Sequence, residues 1–219
     1  MGLTSTSGAS CLPETFVVQL MMQNNRDMNT AYSILVYGIE AGIRGDKAEH
    51  LFTEFFRACE VHPDTAAAMQ VAEIQYLNLL SLKLPVKQIT LGRLMAVCFS
   101  ARDGEAADRV RGYAEVQGVE FSPHFVTKYV GTFLRLADCL RVNQVLWACE
   151  NIPAYSKLSR ESYQRLREVQ TSPECKELLR EHMQRVGMIS RSSASQGLSD
   201  VNPSALHAAL IGEPFRAAR

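Results

Sequence analysis

The chain has 219 residues, 47% of them hydrophobic, and its 23 Lys/Arg balance 23 Asp/Glu. That length and apolar fraction can bury a continuous core. No apolar run approaches the roughly 18 residues of a membrane span, since even Ile74 to Leu84 is interrupted by Gln75, Asn78, Ser81 and Lys83. Alternating β-branched runs are also too short for strands, which leaves a soluble, all-α protein as the expectation.

Residues 1–12 read as a flexible N-terminal segment. They are rich in Ser and Thr and lack acids, as organellar presequences do, yet hold no Arg or Lys. Met1-Gly2-Leu3-Thr4-Ser5-Thr6 also fits the loose myristoylation pattern. From Pro13 the chain reads as helical hairpins, the first over 13–46 with Phe16 and Leu20 on one face and Ala41-Gly42-Ile43 at its exit.

The second unit, 47–87, carries Phe52, Phe55, Phe56 and Cys59 at spacings of three, one and three, and leaves through Leu84-Pro85. Such spacing places the four on one face of a helix, which takes 3.6 residues per turn. In the third unit, 88–122, Leu91, Leu94, Met95 and Cys98 restate the pattern. A turn at Ala101-Arg102-Asp103-Gly104 follows, then an amphipathic stretch through Ala106, Ala107, Val110, Tyr113 and Ala114, then Gln117-Gly118-Val119. The fourth unit, 123–157, repeats the face thirty-five residues on with Val126, Tyr129, Val130 and Phe133, and exits at Asn151-Ile152-Pro153. A fifth pair, about 158–170 and 173–186, starts its second helix at Ser172-Pro173 and stops at Gly187. Recurrence of one helical hairpin every 35 to 40 residues predicts an α-solenoid of about five antiparallel hairpins over 13–189. Beyond Ser190 a tail rich in Ser is too polar to fold alone, apart from a short helix expected near 203–211, capped by Asn202-Pro203 and bearing Leu206, Leu210 and Ile211 on one face.

The unit from Ile89 to Pro123, with Thr90 opening the first helix, Ala107 early in the second and Gly118-Val119 at the exit, resembles the pentatricopeptide (PPR) repeat. Tetratricopeptide repeats are the rival, but their Trp-Leu-Gly-Tyr pattern is missing and Trp147 falls in a second helix. In PPR proteins a polar side chain early in the first helix and another at the end of the repeat read one base, with an aliphatic side chain packed on it. The resemblance puts Val17, Thr53, Gly92 and Thr127 at the first position and Asp46, Lys87, Ser122 and Lys157 near the second. It puts Glu14, His50, Ile89 and Phe125 or His124 at the base-packing position. Only Thr53 and Thr127 are of the base-reading kind, and only Ile89 suits packing, so the resemblance implies an incomplete code.

Nothing in the sequence assembles catalysis. His50, His62, His124, His182 and His207 are scattered, and there is no phosphate-binding loop or dinucleotide fingerprint. Cys11, Cys59, Cys98, Cys139, Cys149 and Cys175 form no Cys-x-x-Cys pair and no metal-ligand spacing. They read as small packed hydrophobes in a reducing compartment, with no metal and no cofactor expected.

The balanced total hides a gradient. Residues 1–80 hold four Lys/Arg against nine Asp/Glu, and residues 81–189 hold sixteen against twelve. Lys and Arg supply most non-specific RNA affinity by neutralising phosphates. The candidate RNA contacts are therefore Arg109, Arg111, Lys128, Arg135, Arg141, Lys157 and Arg160, with Arg165 and Arg167 in the same basic share. Mixed Arg and Glu on exposed helix faces is also an ordinary solvated surface. The PPR resemblance implies a mitochondrial location and a non-catalytic part in the mitochondrial ribosome or its assembly intermediate. Such a part would touch rRNA with one surface and protein neighbours with the other. An RNA-processing or editing accessory factor, or a protein-only scaffold subunit, stands as the alternative.

Overall fold

A computed structural model describes residues 12–189. The expected flexible segment at the N-terminus, apart from Leu12, and the expected tail helix near 203–211 lie outside the described residues. The fold is all-α. Its helices come in chain order as α1 (Glu14–Asn24), α2 (Met28–Glu40), α3 (Gly45–Glu60), α4 (Thr65–Ser81), α5 (Gln88–Ala101), α6 (Gly104–Val116), α7 (Pro123–Arg135), α8 (Cys139–Asn151), α9 (Arg160–Glu168) and α10 (Pro173–Arg185).

Local chemistry sets these boundaries. Asp27, Asp64, Asp103 and Asp138 each stand just before a second helix and accept a hydrogen bond from a backbone N–H of its first turn, at 2.9–3.1 Å. Ser122, Ser159 and Ser172 cap α7, α9 and α10 in the same way. Such caps satisfy amides that the helix itself leaves open. Several helices close with a backbone bond reaching back five residues, as in Ile43 to Gly38, Leu84 to Leu79, Asp103 to Cys98, Val119 to Ala114, Asp138 to Phe133 and Met188 to Met183. That closure needs a left-handed residue. Gly42, Gly118 and Gly187 supply it freely, whereas Lys83, Arg102 and Ala137 adopt φ of 54–55° with a side chain in place.

The first helices pack on one another in order, α1 on α3, α3 on α5, α5 on α7 and α7 on α9. The second helices cover the joints, α2 against α3, α4 against α5 and α6 against α7, while α8 meets α10. The repeated apolar face is what these contacts bury. Leu91, Leu94, Met95, Cys98, Val126, Tyr129, Val130 and Phe133 are all in the core, with Phe52, Phe55, Phe56 and Cys59 beside them. Hairpins three and four are also tied at their exits, where Phe121 donates to the Ala154 carbonyl at 3.0 Å and accepts from Ser156 at 3.1 Å. The Phe121 ring stacks on Phe125 at 5.0 Å and meets the edge of Tyr155 at 4.5 Å.

The cysteines depart from the sequence expectation. Cys139 and Cys175 form a disulfide between α8 and α10, so they are not free thiols. The physical reason lies in the repeat. Each opens or follows closely on the start of a second helix, and a separation of 36 residues brings the two helix starts side by side. Cys59, Cys98 and Cys149 are free and buried.

Candidate functional site

Several cations picked out by charge alone are engaged with carboxylates, Arg109, Lys128 and Arg141 with ones on other helices and Arg111 with one on its own. Arg109 of α6 donates two hydrogen bonds to Glu73 of α4, at 2.7 and 3.0 Å, and Tyr113 donates a third at 3.1 Å. The Arg109 bonds hold the Glu73 carboxyl below its usual range. Arg141 of α8 reaches Asp108 of α6, which also accepts from Tyr129 at 2.5 Å. Arg111 pairs with Glu115 one turn along its own helix and is largely covered. Arg109 and Arg141 fasten helices together. Lys157, between α8 and α9, and Arg160, which opens α9, are exposed.

Lys128 and Arg135 lead to a different place. Both lie on α7 and both sit over the ring of Phe99 from α5, Lys128 Nζ at 4.7 Å and the Arg135 guanidinium at 4.1 Å from its centre. A cation over an aromatic face is attracted by the ring quadrupole. Arg135 also donates to the Phe99 carbonyl at 2.9 Å. The ring can lie so close because Gly131 is beneath it, where a Cβ would stand 2.8 Å from Phe99 Cε2.

Phe99 is the shared floor of two adjoining depressions between α5, α7 and α9. One, of about 320 Å³, runs past His124, Thr127, Lys128, Ser159 and Arg165. The other, of about 640 Å³, runs past Arg102, Arg135, Ala137 and the segment 168–172. Together they make a groove along the first-helix row. Glu60 of α3 ties Arg93 and Lys128 at 3.2 and 3.0 Å, and Glu161 ties Arg165 at 2.6 Å. Arg102 and Arg135 have no carboxylate within ion-pair distance among the described residues. Desolvation, and then the nearby charge of Arg102, lowers the pKa of Arg135. The His124 imidazole is likewise held below its usual range by desolvation and by Lys128, Arg93 and Arg165, with Glu60 opposing. Lys128, Arg165, Arg102 and Arg135 line the groove against the carboxylates of Glu161 and Glu168, so it carries an excess of positive charge, and an anion laid in it would relieve the repulsion. Phe99, Arg93 and Arg102 escaped the sequence reading because they lie on no charge-dense stretch. The packing of α5 on α7 brings them together.

The degenerate base-reading positions scatter. Thr53 is 3% exposed; its hydroxyl lies 3.1 Å from both the Glu49 carbonyl and carboxylate and 2.9 Å from Thr90 Oγ1. Lys87 closes that cluster, at 3.3 Å from Glu49 and 2.8 Å from Asp46. Gly92 is buried against His124. Thr127 donates to the Pro123 carbonyl of its own helix at 2.6 Å. Ile89, the one aliphatic side chain among the base-packing positions, is 58% exposed.

A second polar cluster lies at the end of the last hairpin. His182 of α10 joins Glu150 of α8 at 2.6 Å through Nδ1 and the Tyr163 hydroxyl of α9 at 2.7 Å through Nε2. Burial dominates there and lowers the His182 pKa, with Arg185 adding to it and Glu150 opposing. Burial also pushes the neighbouring Cys149 thiol up to about 12, far from nucleophilic range. This array holds three helices together and presents no activated nucleophile. Among the described residues no group of His, Cys, Asp and Glu could hold a metal ion, and no helix is long and apolar enough to cross a membrane.

No protein-family model matches the chain, and neither a curated protein nor a solved structure is similar to it.

Proposed function

We propose that the chain is a non-catalytic, architectural component of an RNA–protein assembly that lays the α5–α7–α9 groove against a phosphate backbone. The observation that carries this reading is the pair Arg102 and Arg135, open to one groove and lacking carboxylate partners. Phosphate contacts of this kind fix position without reading sequence. The buried, hydrogen-bonded hydroxyl of Thr53 argues against base reading there. The PPR resemblance of residues 89–123 extends the proposal to a mitochondrial host, the ribosome or an assembly intermediate, by analogy of fold. Protein neighbours fit the second-helix side, which exposes Ile74, Leu77, Val116 and Leu140, although Phe16, Met22 and Ile89 of first helices are exposed too.

The test is binding of single-stranded RNAs of unrelated sequence across a salt series. Affinity should be indifferent to sequence. Arg102→Gln should flatten the logarithmic salt slope by about 0.7, the loss of one phosphate contact. Binding that ignores salt, or that selects one short sequence strongly over scrambled versions, overturns the reading.

A further inference from the structure

The disulfide lies directly behind the groove. Ala137 and Ser172 line it, and Cys139 Sγ sits 3.8 Å from the Ala137 carbonyl oxygen and 3.6 Å from Ser172 Oγ. Cys175 follows Ser172 in the first turn of α10, with its amide donating to the Ser172 hydroxyl at 3.2 Å. The bond therefore joins the α7–α8 turn to the far wall of the groove at residues 168–172. At the other end of this hairpin the polar array of Tyr163, His182 and Glu150 does the holding. At the turn end, no ion pair or side-chain hydrogen bond ties residues 169–176 to earlier hairpins among the described residues, apart from the Cys139–Ser172 contact. One covalent link thus pins the start of α10, and the wall at 168–172 that leads into it, to the α7–α8 turn.

The two sulfurs differ in access. Cys175 is fully buried, while Cys139 is partly exposed. An incoming thiolate can reach Cys139 Sγ, and Cys175 is then the leaving group. The remaining cysteines of the described chain do not compete. Burial pushes the Cys59 and Cys149 thiols up to about 12, and raises Cys98 as well.

We propose that Cys139 and Cys175 form a thiol–disulfide exchange site for dithiol reductants, and that the oxidised bond holds the groove in its phosphate-binding shape. In the forward step one thiolate of the dithiol attacks Cys139 Sγ, the S–S bond breaks, and Cys175 departs as a thiolate that takes up a proton. The second thiolate of the reductant then attacks the mixed disulfide and releases Cys139, which is protonated in turn. Two electrons pass from the dithiol, which ends as its own disulfide. The consequence for RNA rests on the reading of the groove given above.

The experiment uses the full chain with Cys11→Ser, compared before and after dithiothreitol under native conditions. Iodoacetamide labelling and mass spectrometry should find two added groups, at Cys139 and Cys175, only after reduction, with Cys59, Cys98 and Cys149 unlabelled. Amide exchange over 169–176 should rise while α5 stays protected. The salt slope for single-stranded RNA should fall by about 0.7, one phosphate contact, as the wall facing Arg102 and Arg135 loosens. The double variant Cys139→Ser/Cys175→Ser should match the reduced protein and ignore dithiothreitol. Labelling of both cysteines before reduction, or unchanged exchange after it, overturns the exchange site. Faster exchange with unchanged RNA binding overturns the gating. If the oxidised protein binds no RNA while exchange still rises on reduction, the groove reading and the gating fall and the exchange site stands.

Discussion

Lys83 holds a left-handed conformation, φ 54°, at the end of α4, where Gly42, Gly118 and Gly187 serve after α2, α6 and α10. A side chain there crowds the following carbonyl. Lys83→Gly should raise stability by roughly 0.5–1 kcal/mol, the relief of that crowding less the added entropy of glycine in the unfolded chain. Urea unfolding measures it, and a loss of stability would mean that Lys83 makes an interaction worth more than the strain. Gly131 is the opposite case. Its missing Cβ is where the Phe99 ring lies, so Gly131→Ala should cost roughly 1–3 kcal/mol, as overpacking does, and weaken RNA binding with it. His182 gives a pH signature. Its folded pKa is depressed by burial, so the unfolded chain binds the proton more readily. Stability should be fully present above about pH 6.5 and fall as pH drops toward the folded value. Melting between about pH 7.5 and 5 reads this, and His182→Gln should show a shallower decline; His124, also depressed, supplies the remainder.

At the scale of the helix, burial and cross-helix polar clamps do separate work. Phe56 is fully buried and its ring meets Phe55 and Phe52. Phe56→Ala should cost roughly 3–5 kcal/mol, felt in hairpin two and in both its neighbours, because α3 contacts α1, α2, α4 and α5. A loss under about 1 kcal/mol, the size expected of a benign surface change, would remove Phe56 from the core. Arg109 is about a third exposed, so Arg109→Ala should cost only about 1 kcal/mol after allowance for solvent. RNA affinity should be unchanged, which separates this clamp from Arg102 in the groove. A similar loss of RNA binding in both variants would argue that α6 belongs to the RNA surface.

For the whole molecule, the decisive quantity is whether the native protein travels with RNA. As an architectural part it should sediment with a large particle and shift to lighter fractions after ribonuclease. A protein-only scaffold would keep its position, with its contacts on second-helix residues such as Ile74 and Leu140. Contact order is low in such a chain, because the substantial helix contacts join the same or adjacent hairpins. The stack is therefore expected to lose its ends before its middle.

Periodicity alone determined the all-α class and the buried face, since residues at three, one and three must share a side of a helix wherever it packs. Leu91 to Cys98 and Val126 to Phe133 are buried as that spacing requires. The Asp27 and Asp138 caps emerged only from the hydrogen bonds they accept, whereas the glycine exits at Gly42, Gly118 and Gly187 were equally local and equally legible. Charge was not. Local sequence counts Arg109, Arg111 and Arg141 as basic, but whether a cation is free depends on which carboxylate the neighbouring hairpin brings to it. Packing gave Arg109 its Glu73 and Arg141 its Asp108 and left Arg102 and Arg135 beside Phe99, whereas Arg111 pairs locally with Glu115 on its own helix. The disulfide was decided in the same way, because two cysteines 36 residues apart become neighbours only when α8 and α10 lie side by side.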